Sequence, residues 1–309
     1  MAYSKSKAKK IFKVVKEVGV DLAAARFGIT PDSVRRAVRI AGGEKRMVEQ
    51  LIIKSAKQYV QGLSFDEPTA VEQDNRPICI HPDVHAPYNH PDAIEFFRWV
   101  QDWRGCQERV VNVGDLADFH SMSRFNSETD ALNATVEYER FLEFADEYSK
   151  AFPVGDMVLG NHDTIPQRQM KELGLLTSIL KVDNELYGLP DTWNIHPLYH
   201  VIDPDGWNIL VEHGIGSSGK YGCANTAKEK RCSYVQGHTH SAAAVIYSTN
   251  HESTIFGMNV GCCVDSSSLA MRYGKYGTRK GVLACGVVYG GSHAEVITME
   301  TWKNYKRWF

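Results

Sequence analysis

Five short polar motifs in the sequence carry side chains that can bind metal ions or transfer protons. They combine carboxylate oxygens with imidazole nitrogens, a mixture that suits Zn²⁺, Mn²⁺ or iron. Each residue alone has an ordinary structural explanation, because Asp and Asn cap helices and His often pairs with a carbonyl group. Their joint occurrence favours a metal site. In chain order the motifs are Asp83-Val84-His85, Gly114-Asp115-Leu116-Ala117-Asp118, Gly160-Asn161-His162-Asp163, Glu212-His213-Gly214 and Gly237-His238-Thr239-His240.

The motifs follow short β-rich runs, which is where an α/β sheet places its ligands. Helical periods fill residues 91–103 and 131–149 between these runs. After His240 the β-rich runs follow one another without long helices, which predicts a second sheet rich in antiparallel pairs. The five runs that precede the motifs are PICIHP, ERVVNVG, DMVLG, NILVEHG and SYVQG.

The ordered pattern DxH, GDxxD, GNHD, H and GHxH, which spans about residues 83–240, resembles that of the calcineurin-like metallophosphoesterases. The resemblance implies an α/β fold in which a sandwich of two β-sheets is flanked by helices. It also implies a hydrolase of phosphate esters that acts through metal-activated hydroxide. Two divalent ions are its expected cofactors, with Mn²⁺ first and Fe, Zn, Ni or Mg as alternatives.

The same resemblance assigns roles to individual residues. His162 is expected to give a proton to the leaving group, and Asp118, three residues after Asp115, can orient that imidazole. For the ions, the resemblance puts Asp83, His85 and His240 on one metal, Asn161, His213 and His238 on the other, and Asp115 between them.

The sequence departs from the protein phosphatases of this family directly after Asp118. Those enzymes have Arg-Gly there, whereas this chain has Phe119-His120 and lacks the guanidinium fork that would clamp a phosphate. A Ser/Thr protein phosphatase is therefore the least favoured reading. His120 either faces the substrate phosphate or only packs beside the loop.

The charge of the chain is unevenly distributed. Residues 1–60 contain 14 Lys or Arg and 5 Asp or Glu, a net charge of +9, while the remainder carries −11. Within this basic segment, DLAAARFGITPDSVRRAVRIAG resembles a helix-turn-helix, and such a segment favours a polyanionic partner such as DNA. A solvated surface or an oligomerising helical hairpin is the alternative. The predicted DNA contacts are Ser33, Arg35, Arg36 and Arg39.

Two further basic clusters bear on the substrate. One precedes the last motif and contains Lys228 and Arg231. The other, SLAMRYGKYGTRKG, interleaves Arg272 and Arg279 with tyrosines, a pattern that suits pairing with a strand's backbone and stacking on its bases. The second cluster is equally consistent with an ordinary loop. We therefore expect a phosphodiesterase that acts on DNA as a nuclease, and a small-molecule phosphodiesterase or nucleotidase is the alternative.

The remaining features predict domain organisation and location. We expect a basic helix-turn-helix-like domain over residues 1–45, a helix and linker over 46–75, and the metallophosphoesterase domain over 76–309. Neither a signal peptide nor an apolar run of about 18 residues occurs, and the seven cysteines lack metal-binding spacing. The expectation is a cytoplasmic, soluble protein without a membrane partner, and the sequence leaves its oligomeric state open.

Overall fold

The structure is a computed structural model that describes residues 76–123, 132–176, 184–203, 206–265 and 281–308, together with isolated positions between 9 and 37. Contacts between Cα atoms divide the chain into two compact units, Met1–Val71 and Glu72–Phe309. Among the described residues, no helix combines the length and the apolar composition needed to cross a bilayer.

The described positions of the first unit are mostly helical. Ile11 and Val15 are four residues apart on one helix face and both are buried. Thr30 stands at the start of a further helical segment, where its carbonyl accepts from the backbone N–H of Val34 at 3.1 Å and its hydroxyl accepts from that of Ser33 at 3.3 Å. This is the hydrogen bonding of a helix N-cap.

Several predictions fall on parts of the chain outside the described residues. They are the contacts assigned to Arg35, Arg36, Arg39, Arg272 and Arg279, and the helix and linker expected over residues 46–75.

The described part of the second unit contains eleven strands and five helices. The strands are β1 (Ile78–His81), β2 (Val110–Asn112), β3 (Gly155–Val158), β4 (Trp193–His196), β5 (Tyr199–Ile202), β6 (Ile209–Glu212), β7 (Ser233–Gln236), β8 (Ala243–Thr249), β9 (Thr254–Val260), β10 (Ala284–Gly290) and β11 (His293–Thr298). The helices are α1 (Ala93–Arg104), α2 (Ala134–Ala151), α3 (Ile165–Glu172), α4 (Gly222–Lys230) and α5 (Met299–Trp308).

The strands form two sheets, as expected. The six-stranded sheet has the order β11-β10-β1-β2-β3-β4, in which β1 to β4 are parallel. The five-stranded sheet has the order β5-β6-β7-β9-β8, with β6, β7 and β9 parallel. The strands after His240 do not build a sheet of their own, because β8 and β9 extend the second sheet while β10 and β11 extend the first. Tertiary pairing, which strand spacing cannot specify, decides this division.

The two sheets face each other across one apolar layer, and helices cover their outer faces. Ile80 of β1 and Val211 of β6 belong to the layer between the sheets. Phe97 of α1 and Phe144 of α2 belong to the layer on the other side of the first sheet. The described part of this unit therefore shows the predicted sandwich of two sheets flanked by helices.

Local sequence explains where the two long helices begin and end. Asn133 caps α2 by accepting from the backbone N–H of Val136 at 3.0 Å, and Phe141, Phe144 and Tyr148 then turn one apolar face inward at helical spacing. Gly105 ends α1 with a φ of 60°, the left-handed conformation that glycine adopts most easily.

Candidate metal centre

The predicted metal ligands lie at the carboxyl ends of parallel strands. Each follows its strand directly or within a few residues, so the fold brings residues that are far apart in sequence to one edge of the sandwich. Asp83 and His85 follow β1, Asp115 follows β2, Asn161 follows β3, His213 follows β6, and His238 and His240 follow β7.

Asp83, His85 and His240 form one group of donor atoms. The Nε2 atom of His240 lies 3.0 Å from Asp83 Oδ2 and 3.2 Å from His85 Nε2. Asp83 and His85 are buried and His240 is partly buried. These three side chains can share one cation.

Asp115, His213, His238 and Asn161 form a second group. The Nε2 atom of His213 lies 3.1 Å from both Asp115 Oδ2 and Asn161 Oδ1, and 3.3 Å from His238 Nδ1. Asp115 Oδ2 is also 3.5 Å from His85 Nε2 of the first group. The Asp115 carboxylate therefore stands between the two groups.

The outer nitrogens of two histidines show how these rings are oriented. His213 Nδ1 lies 3.0 Å from the carbonyl oxygen of Val113, and His85 Nδ1 lies 2.6 Å from Asp118 Oδ1. Because only an N–H can donate to these oxygens, each Nδ1 holds a proton and each ring turns its Nε2 toward the centre. There each Nε2 faces acceptor oxygens, an arrangement that a proton or a metal cation on that nitrogen stabilises.

The electrostatics of the centre favour added positive charge. Burial alone would lower the pKa of His213, but the carboxylates of Asp115 and Asp83 outweigh it and raise this pKa to about 10. Burial likewise opposes ionisation of Asp115, yet the neighbouring imidazoles hold its pKa well below the usual range. In addition, Asp83 Oδ1 is buried without a hydrogen-bond partner among the described residues. The donor set thus fits divalent metal ions.

Asp118 connects the centre to the predicted proton donor. Its Oδ1 atom lies 2.7 Å from His162 Nδ1 as well as 2.6 Å from His85 Nδ1. Although burial would lower the pKa of His162, Asp118 and Asp115 raise it to about 9, so the imidazole is protonated at neutral pH. One carboxylate therefore orients both a metal-ligand candidate and the candidate acid.

Asp163 holds the loops that carry these residues together. Its carboxylate accepts backbone hydrogen bonds from Asp115 at 2.7 Å, from Ala117 at 3.0 Å and from Gly160 at 2.8 Å. Gly160 is also packed so closely that a Cβ built there would collide with the Asp115 carboxylate. Asp163 belongs to the GNHD motif, but its position in that motif alone does not indicate this structural role.

The backbone at the centre adopts unusual conformations. His85, Asp115 and His238 have φ values of 53°, 51° and 62°, in the left-handed region that non-glycine residues seldom occupy. Such strain costs about 1–3 kcal/mol per residue and is found mostly where function requires a particular geometry. The backbone hydrogen bonds that the Asp163 carboxylate accepts are among the contacts that offset this strain.

His120 is buried beside the centre in a short 3₁₀ turn. The Glu137 carboxylate of α2 accepts from the backbone N–H groups of His120 and Ser121, each at 2.7 Å, and thereby holds this turn. The His120 ring lies edge-on to Tyr88, with 6.4 Å between ring centroids. The sequence did not predict these hydrogen bonds to Glu137, because 16 residues separate Glu137 from Ser121.

The predicted substrate contacts Lys228 and Arg231 lie at the other end of β7 from His238. With Ser248 and Thr249 at the end of β8 and Ser253 of the following turn, they line a cavity of about 560 Å³. Arg231 and His238 are seven positions apart, which corresponds to roughly 22–24 Å of fully extended chain. A substrate that touched both would have to be long.

Arg168 is a cation near the centre that the sequence analysis missed. Its Nη2 atom donates to the carbonyl oxygen of Asn161 at 2.6 Å, and its side chain is exposed. The feature of the sequence that could have indicated this contact is the spacing of Arg168, which follows Asn161 by seven residues in a helical segment.

Comparison with protein-family models and with curated proteins found no match. Among solved structures, the chain is similar to Vacuolar Protein Sorting 29 from Cryptosporidium parvum, with a TM-score of 0.39, 14% identity, and coverage of 72% of this chain and 95% of that chain. It is also similar to zinc-complexed Vps29 from Entamoeba histolytica (TM-score 0.33, 12% identity, 72% and 98% coverage) and to a protein of unknown function from Aquifex aeolicus (0.29, 16%, 64% and 86%). Because these TM-scores are low, we argue the chemistry of the centre from the positions of its own side chains.

Proposed function

We propose that this protein is a metal-dependent phosphoesterase whose two divalent ions are held by the two groups of side chains that meet at Asp115. The observation that carries the proposal is the orientation of His85 and His213, whose outer nitrogens pair with Asp118 and Val113 while their inner nitrogens face carboxylate and amide oxygens. Mixed carboxylate and imidazole donors suit Mn²⁺, Fe, Zn²⁺ or Ni²⁺ better than Mg²⁺.

Two ions bound at such a centre supply a nucleophile from water and stabilise the charge on phosphoryl oxygens. The protein contributes the proton at the leaving group. His162 is protonated near neutral pH, and Asp118 holds its Nδ1, which leaves Nε2 as the atom that can give a proton to the departing oxygen. Asp118 thereby acts as a positioning residue for His162.

Phosphate esters are the substrate class favoured by the order of the motifs, DxH, GDxxD, GNHD, H and GHTH. Among phosphate esters we favour a phosphodiester in DNA, because the segment of residues 1–60 carries a net charge of +9. The position after Asp118, where protein phosphatases have Arg-Gly, has Phe119 buried in the core and His120 buried beside it, so a Ser/Thr protein phosphatase is disfavoured.

The first prediction concerns Asp115, the carboxylate shared by both groups. Asp115→Asn should lose both ions and nearly all hydrolysis of bis-p-nitrophenyl phosphate, because a neutral amide cannot bridge two dications. Metal content is measured by mass spectrometry after dialysis against Mn²⁺, and activity is measured on the same samples. Asp146→Asn, at an exposed carboxylate in α2 that pairs with Lys150, is the matched control and should change neither.

Two retained ions of wild-type affinity in Asp115→Asn would contradict the bridging role. A panel of bis-p-nitrophenyl phosphate, p-nitrophenyl phosphate, cyclic nucleotides, plasmid DNA and single-stranded DNA then separates the substrate classes. Cleavage of cyclic nucleotides without cleavage of DNA would replace the nuclease with a small-molecule phosphodiesterase.

A further inference from the structure

A second cluster of metal-binding side chains lies outside the centre built by the motifs. Asp156 is the second residue of β3, His196 is the last residue of β4 and His200 is the second residue of β5. One donor atom from each lies within 4.8 Å of the other two. Because β4 is the edge strand of the six-stranded sheet and β5 that of the five-stranded sheet, the cluster connects the two sheets at their edges.

The donor atoms have the separation that a small cation requires. His196 Nε2 lies 2.8 Å from Asp156 Oδ1, and His200 Nε2 lies 3.8 Å from Asp156 Oδ2. Ligands about 2.0–2.1 Å from a tetrahedral Zn²⁺ stand roughly 3.3–3.4 Å from one another, which falls between these two distances. The two rings are stacked, with 4.1 Å between centroids.

Arg109 occupies part of the same carboxylate. Its Nη1 atom lies 2.7 Å from Asp156 Oδ2, and 42% of its side chain is exposed. Because this guanidinium side chain reaches solvent, it can turn away from Asp156 when another cation binds the carboxylate. A bound dication would compete with Arg109 for Asp156. Removal of Arg109 should therefore strengthen metal binding, whereas removal of a ligand should weaken it.

We propose that Asp156, His196 and His200 form a further binding site for a divalent transition metal of the Zn²⁺ or Co²⁺ type, which would join the edge strands of the two sheets. Two imidazoles and one carboxylate favour such ions over Mg²⁺ and Ca²⁺, which prefer oxygen ligands. The inference goes beyond the proposed function, because none of these residues belongs to the centre around Asp115.

The test counts zinc ions on the full-length protein by equilibrium dialysis and mass spectrometry. We expect three Zn²⁺ per chain in the wild type and two in His200→Ala. The matched control His251→Ala removes an imidazole with a largely exposed side chain outside the cluster and should keep three. Asp115→Asn should keep one, so loss of the two-ion centre is distinguished from loss of this site.

A second measurement does not depend on the fold of the histidine variants. Arg109→Gln removes the competing cation from an exposed side chain and should tighten the third Zn²⁺ by about tenfold or more, because the nearby like charge is gone. Cobalt titrations, followed by visible absorption, should also show tighter binding by Arg109→Gln than by the wild type, and no binding at this site by His200→Ala. Two zinc ions in the wild type, three in His200→Ala, or unchanged or weaker third-site binding in Arg109→Gln would each overturn the proposal.

Discussion

Asp118 illustrates how one side chain can serve two purposes at the residue scale. Its Oδ1 atom contacts Nδ1 of His85 and Nδ1 of His162, so a single buried carboxylate selects the tautomer of a metal-ligand candidate and also orients the candidate acid. Burial raises the cost of ionising Asp118, yet the two imidazoles hold its pKa below the usual range. Under the proposed function, metal affinity and proton transfer would be coupled through this residue.

His162 itself should be separable from metal binding. His162→Gln removes the proton donor but none of the donor atoms of the two groups, so we expect full metal content and a turnover slowed by about 10²–10⁴-fold. The measurement is steady-state hydrolysis of a phosphodiester with a poor leaving group, beside metal analysis. His251→Gln is the control and should behave as wild type. If His162→Gln lost its ions together with activity, His162 would be a ligand and not the acid.

At the scale of elements, β1 contributes both to the centre and to the packing of the helices. Asp83 follows its carboxyl end, while the last residue of the strand, His81, turns into the core. The His81 ring stacks on Phe97 of α1 at 4.5 Å, and its Nδ1 lies 2.6 Å from the Tyr148 hydroxyl of α2. A buried imidazole thus connects the strand to two helices.

This packing predicts a pH dependence of stability. Burial lowers the pKa of His81 from 6.5 to about 3, so between these values the unfolded chain binds a proton that the folded chain excludes. The contribution of neutral His81 is complete above pH 6.5 and is lost as the pH falls toward 3. Between pH 7 and 4.5 this amounts to about 2–3 kcal/mol of the free energy of unfolding.

Urea denaturation of the wild type and of His81→Gln, both in EDTA, measures this contribution. Glutamine keeps a hydrogen-bonding group for Tyr148 but does not titrate. The variant should be less stable than the wild type at pH 7, and the difference should shrink as the pH falls. A difference that stayed constant from pH 7 to 4.5 would show that His81 is not the titrating group.

At the scale of the whole molecule, charge is unevenly distributed along the chain. Residues 1–60 carry +9 and the rest of the chain −11. An acidic body repels a polyanion unless metal ions and a basic segment compensate, so the basic segment would anchor DNA while the ions act on one phosphodiester. The proposal that this protein is a nuclease depends on these separate roles of the basic segment and the metal ions.

Charge reversal in the first unit tests whether the basic segment anchors DNA. Replacement of Arg35, Arg36 and Arg39 by Glu in the full chain should weaken cleavage of plasmid DNA and lower the slope of log affinity against log salt by roughly 2–3 units. Hydrolysis of bis-p-nitrophenyl phosphate should not change. Replacement of Lys5, Lys7 and Lys9 by Glu alters the net charge equally and controls for general electrostatics. Equal cleavage by both variants and the wild type at every salt concentration would favour the small-molecule alternative.

The amino-acid sequence by itself indicated which donor atoms the candidate centre contains. Residue type decides which atoms can bind a cation, and the position of each motif after an apolar run decides that its side chains lie at a strand end. The long helices and most strands were likewise predicted, because apolar periodicity and capping by residues such as Asn133 are local properties.

Only the tertiary structure decided how distant segments combine. The division of β8 to β11 between two sheets depends on strand pairing across the fold, as does the contact of Asp163 with Gly160 and Asp115. Glu137 and Arg168 lie beside the centre through helix packing. Asp156 lies near His196 because β3 pairs with β4, and near His200 because the edges of the two sheets adjoin. Such contacts depend on side-chain directions that are set when the elements pack, and residue spacing along the chain does not encode them.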